Sequence, residues 1–406
     1  MQPVLPVLSF FILSAPAVLL LISQQVTENL DQAATKYCRL NLCDDDLVTN
    51  RAYDRQVNAT PDSLQSATRL LTDLLVRDPA QPQRWADLGS AREQSGSLDK
   101  ARACMDRALQ LGPHSSDTLL TVGDFYLVHG DRNDGLRCLS RLLDLSTDRN
   151  DQVFSYFTAR DVPPEDVLNR GLPPGSRAPQ SYLRYLIRQP DLPAAQKVWR
   201  SIAARKLTDP KITAEYSTFL VTQSRFEEAA DAWASEMTPP PSGYRRTEYV
   251  YNGGFETEPA PALFDWNITP VDHVEVSRET DARSGKWSLR IRFDGEANID
   301  FSHIAQKTVL RTGTYRFQAS VRTKDITTDQ GVLFRITGMQ ETRQLTFEVE
   351  TPRGTSGWRT VTGTFVLPQA TRLVEIRVVR RPSWRFDNKI NGTVWIDDIS
   401  LIRTGS

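Results

Sequence analysis

The chain repeats itself at a spacing of 34 residues, and that spacing restricts its fold more than any other feature. One unit reads Trp85-x-x-Leu88-Gly89-x-x-Arg92, then Gly96, Ala101, Met105, Ala108 and Pro113. Adding 34 gives Leu119, Val122-Gly123, Tyr126, Gly130, Gly135, Leu139 and Leu142; subtracting 34 gives Ala67, Leu71, Leu74 and Pro79. Small residues such as Gly89 and Ala101 let two helices approach closely, and Leu88 and Met105 fill the gap between them. Gly96 and Gly130 suit the left-handed turn between the helices, and Pro79 and Pro113 stop the second helix of a unit. A second array carries the same period in Tyr182/Tyr216, Leu186/Leu220, Ala195/Ala229 and Trp199/Trp233, giving units over 176–209 and 210–238. Between the arrays, 151–177 contains Pro163-Pro164 and Pro173-Pro174 and reads as a shortened, irregular unit. Such units bury their apolar faces only by stacking, so 60–238 is expected to form an α-solenoid.

The pattern W-x2-L-G-x2-Y with a closing Pro resembles the tetratricopeptide repeat. Arg92 stands at its aromatic position and Thr147 at a terminal Pro position. The resemblance implies a groove that holds a peptide or helix of a protein partner, with no catalytic role. Cys104 and Cys138 are also 34 apart. Equivalent helices lie about 8–10 Å apart, which is long for a disulfide, so both are expected as small buried residues.

The composition changes at Pro239-Pro240-Pro241-Ser242-Gly243, read as the start of a linker over 239–247. Beyond it the apolar residues alternate. Leu289 to Phe293, Tyr315 to Val321, Val374 to Val378 and Val394 to Leu401 each have period two, which predicts antiparallel strands packed as a β-sandwich. The expected fold is therefore multidomain α + β.

Within that region stand Asn252-Gly253-Gly254-Phe255-Glu256, Trp266, Ser284-Gly285-Lys286-x-Ser288-Leu289, Gly313-x-Tyr315, Trp358, Phe365-x-x-Pro368 and Val394-Trp395-Ile396-Asp397-Asp398-Ile399-Ser400-Leu401. Over 248–403 the set resembles carbohydrate-binding modules with the galactose-binding-like jelly roll. The resemblance implies a structural calcium ion tying the first segment to the last strand, with Glu256 and Asp397 or Asp398 at the acidic positions. The alternative for Glu256 is a hydrogen bond to nearby backbone. It also implies sugar recognition by aromatic rings and polar groups, for which Trp384, Trp266, Trp287, His303 and Arg335 are the candidates. Each Trp also has a core reading, strongest for Trp358 and Trp395; Trp384 lies in the loop-like Arg380-Arg381-Pro382-Ser383-Trp384-Arg385-Phe386.

At the other end, Val4 to Ile22 is one apolar run with no Lys or Arg before Lys36. It is long enough to span a bilayer, and 1–24 is read as an uncleaved anchor, with a cleaved signal or a buried helix as alternatives. A connecting helical segment, 25–59, follows; Cys38 and Cys43 within it either bridge or sit unpaired on a helix. Lys and Arg number 49 against 50 Asp and Glu, a balance that argues against a nucleic-acid partner. The HExxH, GxSxG, phosphate-loop and dinucleotide glycine motifs do not occur, and the expectation is a chain without enzymatic activity. These features together suggest a membrane-anchored scaffold of the cell envelope, its domains outside the cytoplasm. Such a scaffold would hold a protein partner and a polysaccharide, as in exopolysaccharide assembly or export. The rival is a protein–protein adapter whose sandwich binds no glycan.

Overall fold

The computed structural model describes residues 45–130, 132–235, 243–260, 262–339, 345–367 and 373–405. The apolar run 4–22, Cys38, Cys43 and Pro239 to Pro241 lie outside them. No helix among the described residues is long and apolar enough to cross a membrane. The chain divides into two compact units, 1–181 and 182–406, with the boundary inside one helix.

In the first unit the helices are α1 (Asp45–Asn58), α2 (Pro61–Arg77), α3 (Pro82–Gln94), α4 (Leu98–Leu111), α5 (Ser116–Val128), α6 (Arg132–Leu145), α7 (Asn150–Ala159) and the short α8 (Pro164–Asp166). Thr60 opens α2 with a capping box closed by Ser63. The pairs α3/α4 and α5/α6 are the two 34-residue units read from the sequence. A Cβ on Gly89 would lie 2.8 Å from Met105 Cε, and one on Gly123 would lie 2.8 Å from Leu139 Cγ. Glycine is required at both places because a large side chain from the paired helix already occupies the space. Gly96 and Gly130 turn with φ of +75° and +106°, conformations that other residues adopt at a cost. Cys104 and Cys138 are buried free thiols, and burial pushes the Cys138 thiol up to about 11. Arg92, standing in an aromatic position, instead directs its guanidinium at Cys104 Sγ, 3.0 Å away. The irregular segment becomes α7, α8 and a π-helical turn, Val167–Gly171.

The helix α9 (Ala178–Arg188) spans the boundary, and the second unit continues with α10 (Leu192–Ala204), α11 (Pro210–Thr222) and α12 (Phe226–Ser235). Asp191 and Asp209 cap α10 and α11 by accepting from Ala194 N–H and Ile212 N–H. Ten strands follow: β1 (Asn267–Ile268), β2 (Val274–Glu279), β3 (Ser288–Asp294), β4 (Phe301–Val309), β5 (Gly313–Ile326), β6 (Leu333–Gly338), β7 (Thr346–Glu350), β8 (Gly354–Leu367), β9 (Leu373–Arg380) and β10 (Asn391–Gly405). They form two antiparallel sheets of order β1-β4-β9-β6-β7 and β2-β3-β10-β5-β8. Inward residues such as Ile291, Phe317, Phe334, Ile376 and Ile396 are wholly buried between the sheets, as the alternation requires.

The second helical array and the turn after it are joined to the sandwich. The second helical array belongs to the same compact unit as the sandwich, although composition separates the two. The latter half of the expected linker is docked: Tyr244 is buried, and Arg245 donates to Val309 O and Glu227 Oε2. Trp233 of α12 meets Tyr251 edge to face at 6.3 Å. These contacts join α12 to the sandwich, which a free spacer would not do.

Candidate functional site

The five saccharide candidates separate by burial. Trp266 is 1% exposed; its ring packs at 5.5 Å from Phe255 and its indole N–H donates to Asn252 O. It is a core residue and leaves the set, because a ligand cannot reach it. Trp287 is half-buried, with the Arg278 guanidinium 4.4 Å and the Lys286 ammonium 5.3 Å from its ring centre. Trp384 is fully exposed. Trp395 is buried as expected, beneath Arg322 at 4.7 Å.

His303 and Arg335 lie on the outer face of the β1-β4-β9-β6-β7 sheet. Cross-strand register aligns Asn267, Ala305, Arg377, Arg335 and Glu348 in one row across five strands. A second row, two positions along, aligns Lys307, Glu375, Thr337 and Thr346. In-register residues share a face, so apart from Ala305 these two rows on the outer surface of the sheet are hydrogen-bonding side chains. Arg335 bonds Glu348 at 2.8 Å, and Arg381 reaches the same carboxylate. Together these cations hold Glu348 below the usual carboxylate range although burial pushes it up.

At the β1–β4 side, α11 faces this sheet across a cleft of about 960 Å³. Glu215, Thr218 and Phe219 line it from α11, and His303, Ala305 and Lys307 from β4. Glu375 and Arg377 of β9 line it too, as do Asp265 and Asn267. Glu375 accepts from Arg377 Nε at 2.9 Å, and Arg377 Nη1 donates to Ser302 O. Asp265 accepts from the N–H groups of Ala260 and Trp266; burial raises its carboxyl above the usual range against those bonds. Glu215 takes Arg184 Nε at 2.6 Å. Glu215, Asp265 and Glu375 in the cleft therefore each have a structural partner.

The cleft thus brings in His303, and Arg335 continues beyond it the row of its lining residues Ala305 and Arg377, while Trp287, Trp266 and Trp384 are not among the lining residues. Glu375 and Arg377 were legible as the outward positions of an alternating strand. Lys307, Asn267 and the α11 wall were not, because their meeting depends on strand pairing and helix docking.

The three acidic residues near the ends of the sandwich contact one turn. Glu256 Oε1 accepts from Lys286 N–H and Trp287 N–H at 2.8 and 3.0 Å. Asp397 Oδ2 accepts from Arg283 N–H and Ser284 N–H at 2.7 and 3.0 Å, and its Oδ1 from Asp398 N–H. Asp398 accepts from the hydroxyls of Ser284 and Ser320. A register shift in β10 between Asp397 and Ser400 turns these side chains toward the 281–287 segment. Backbone amides of this turn thus bond Glu256 and Asp397, as the hydrogen-bonded alternative for Glu256 expects. Among the described residues, the group of at least three His, Cys, Asp or Glu ligand atoms close enough to share an ion is the exposed His273, Asp294 and Glu296.

No known protein family matches the chain, and no curated protein does. Solved structures similar to it include a family 61 carbohydrate-binding module in complex with β-1,4-galactotriose, 19% identical, covering 39% of this chain and 99% of that one with a TM-score of 0.28. A family 4 carbohydrate-binding module is 18% identical over 38% of this chain and 99% of its own, with a TM-score of 0.29. A family 22 xylan-binding domain from Paenibacillus barcinonensis is 16% identical over 35% and 86%, with a TM-score of 0.26.

Proposed function

We propose that the protein is a non-catalytic saccharide-binding scaffold whose sandwich takes an uncharged glycan segment in the cleft between α11 and the β4–β9 face. The observation that carries this reading is the chemistry of the cleft wall. Lys307 and Arg377 stand among Glu215, Asp265 and Glu375, so neither sign dominates. A polyol offers hydroxyls that donate and accept at once, and it matches a wall of mixed donors and acceptors. A strongly charged ligand would meet opposing groups on the same wall. Phe219, Leu263 and Ala305 give the apolar patch against which a pyranose can lay its C–H face. The volume lies within the usual range for such sites, roughly 300–1,000 Å³.

In this reading the tetratricopeptide-like helices hold a protein partner, and residues 4–22 anchor the chain in a membrane of the cell envelope. A role in exopolysaccharide assembly or export follows by analogy of architecture. The adapter reading is favoured by one observation. The ion pair Arg245–Glu227 fixes α12 to the sandwich, as a purely structural sandwich would require.

A neutral-glycan array probed with the full chain separates the two. Binding to a defined set of polysaccharides supports the cleft. Silence across the array, with a folded protein, leaves the adapter.

A further inference from the structure

The loop after β9 combines a rigid base with two rings left in water. Arg380 is wholly buried, and its guanidinium donates to Asn298 Oδ1, Ile299 O, Asn388 O and Gln330 O at 2.5–3.4 Å. Asn298 in turn grips Ser383, accepting from its N–H and donating to its carbonyl, both at 2.9 Å. Ser383 Oγ bonds Asp329, and Arg385 turns back to the same carboxylate at 3.2 Å. Both stems of the loop are thereby pinned. Yet Trp384 and Phe386, on either side of Arg385, are 100% and 105% exposed.

Nothing in this arrangement shields the rings, and the polar groups beside them are engaged in holding the loop. A saccharide platform needs free hydrogen-bonding groups around an aromatic face, and the polar side chains next to Trp384, Ser383 and Arg385, are both bonded to Asp329. An amphipathic interface asks less: aromatic rings to enter it, and cations to meet its phosphates. Segment 381–389 carries Arg381, Arg385 and Lys389 with Asp387; Arg381 and Arg385 pair with Glu348 and Asp329 yet keep 48% and 71% of their side chains exposed to meet a second anion. The same chain holds a bilayer-length apolar run at 4–22.

We propose that the 381–389 loop is a membrane-contact tip, with Trp384 and Phe386 entering the headgroup region of an anionic bilayer. The inference stands apart from the cleft.

The test uses the full chain bound to phosphatidylcholine vesicles containing phosphatidylglycerol, with and without acyl-brominated lipid. The Trp384 emission is isolated as the difference between wild type and Trp384→Phe, a change at a fully exposed ring that should leave the melting temperature unaltered. The expected result is quenching of that component by brominated lipid, weakened roughly tenfold or more on purely zwitterionic vesicles. No quenching while the chain is vesicle-bound overturns the proposal. So does a Trp384 component that ignores lipid and shifts with soluble oligosaccharide, which would make the tip a sugar platform.

Discussion

Arg245, at the entry to the sandwich, donates through Nη2 to Glu227 Oε2 on α12 at 2.8 Å. Arg311 reaches the other oxygen of the same carboxylate at 3.3 Å. Burial pushes the Glu227 carboxyl up, but the bonds from Arg311 and Arg245 outweigh it and hold the group below its ordinary range. A depressed folded-state value stabilises the fold above the unfolded value, near pH 4.3, and that stabilisation is lost as pH falls through the folded value. The melting-temperature gap between wild type and Glu227→Gln should therefore be widest near neutrality and close below about pH 4. A gap independent of pH would show that the pair does not fasten the helix.

The helical repeats predict an equivalence. Gly89→Leu and Gly123→Leu each force a side chain into space held by Met105 or Leu139. Each should cost roughly 1–3 kcal/mol by overpacking, read by denaturant unfolding of the full chain. If one is costly and the other neutral, the two units do not pack alike.

At the ends of the sandwich, Glu256 and Asp397 serve backbone amides of one turn. Glu256→Gln should destabilise equally in calcium and in chelator, and the wild-type melting curve should be the same in both. A wild type that melts higher with calcium would place an ion at this site.

The 34-residue period announced the Gly89–Met105 contact because helix pairing is local in sequence. Period two likewise identified β9 and the outward setting of Glu375 and Arg377. What stayed hidden was long-range. Lys307 meets Glu375 only through the pairing of β4 with β9, and no local pattern names that partner. The grip of Arg245 on Glu227 made a docked turn of part of an expected linker. The tryptophans show the same limit: Trp266 and Trp384 are one residue type, and only the packing of Phe255 and the fixing of Ser383 set their opposite exposures.

Whether a glycan occupies the cleft is read by calorimetric titration of an array-positive neutral oligosaccharide into wild type, Lys307→Met and Glu375→Gln. Losing one buried hydrogen bond to the ligand costs about 1–3 kcal/mol, so each variant should bind roughly tenfold or more weakly, with Trp384→Phe unchanged. Wild-type affinity in both cleft variants would place the glycan elsewhere on the molecule and contradict the account.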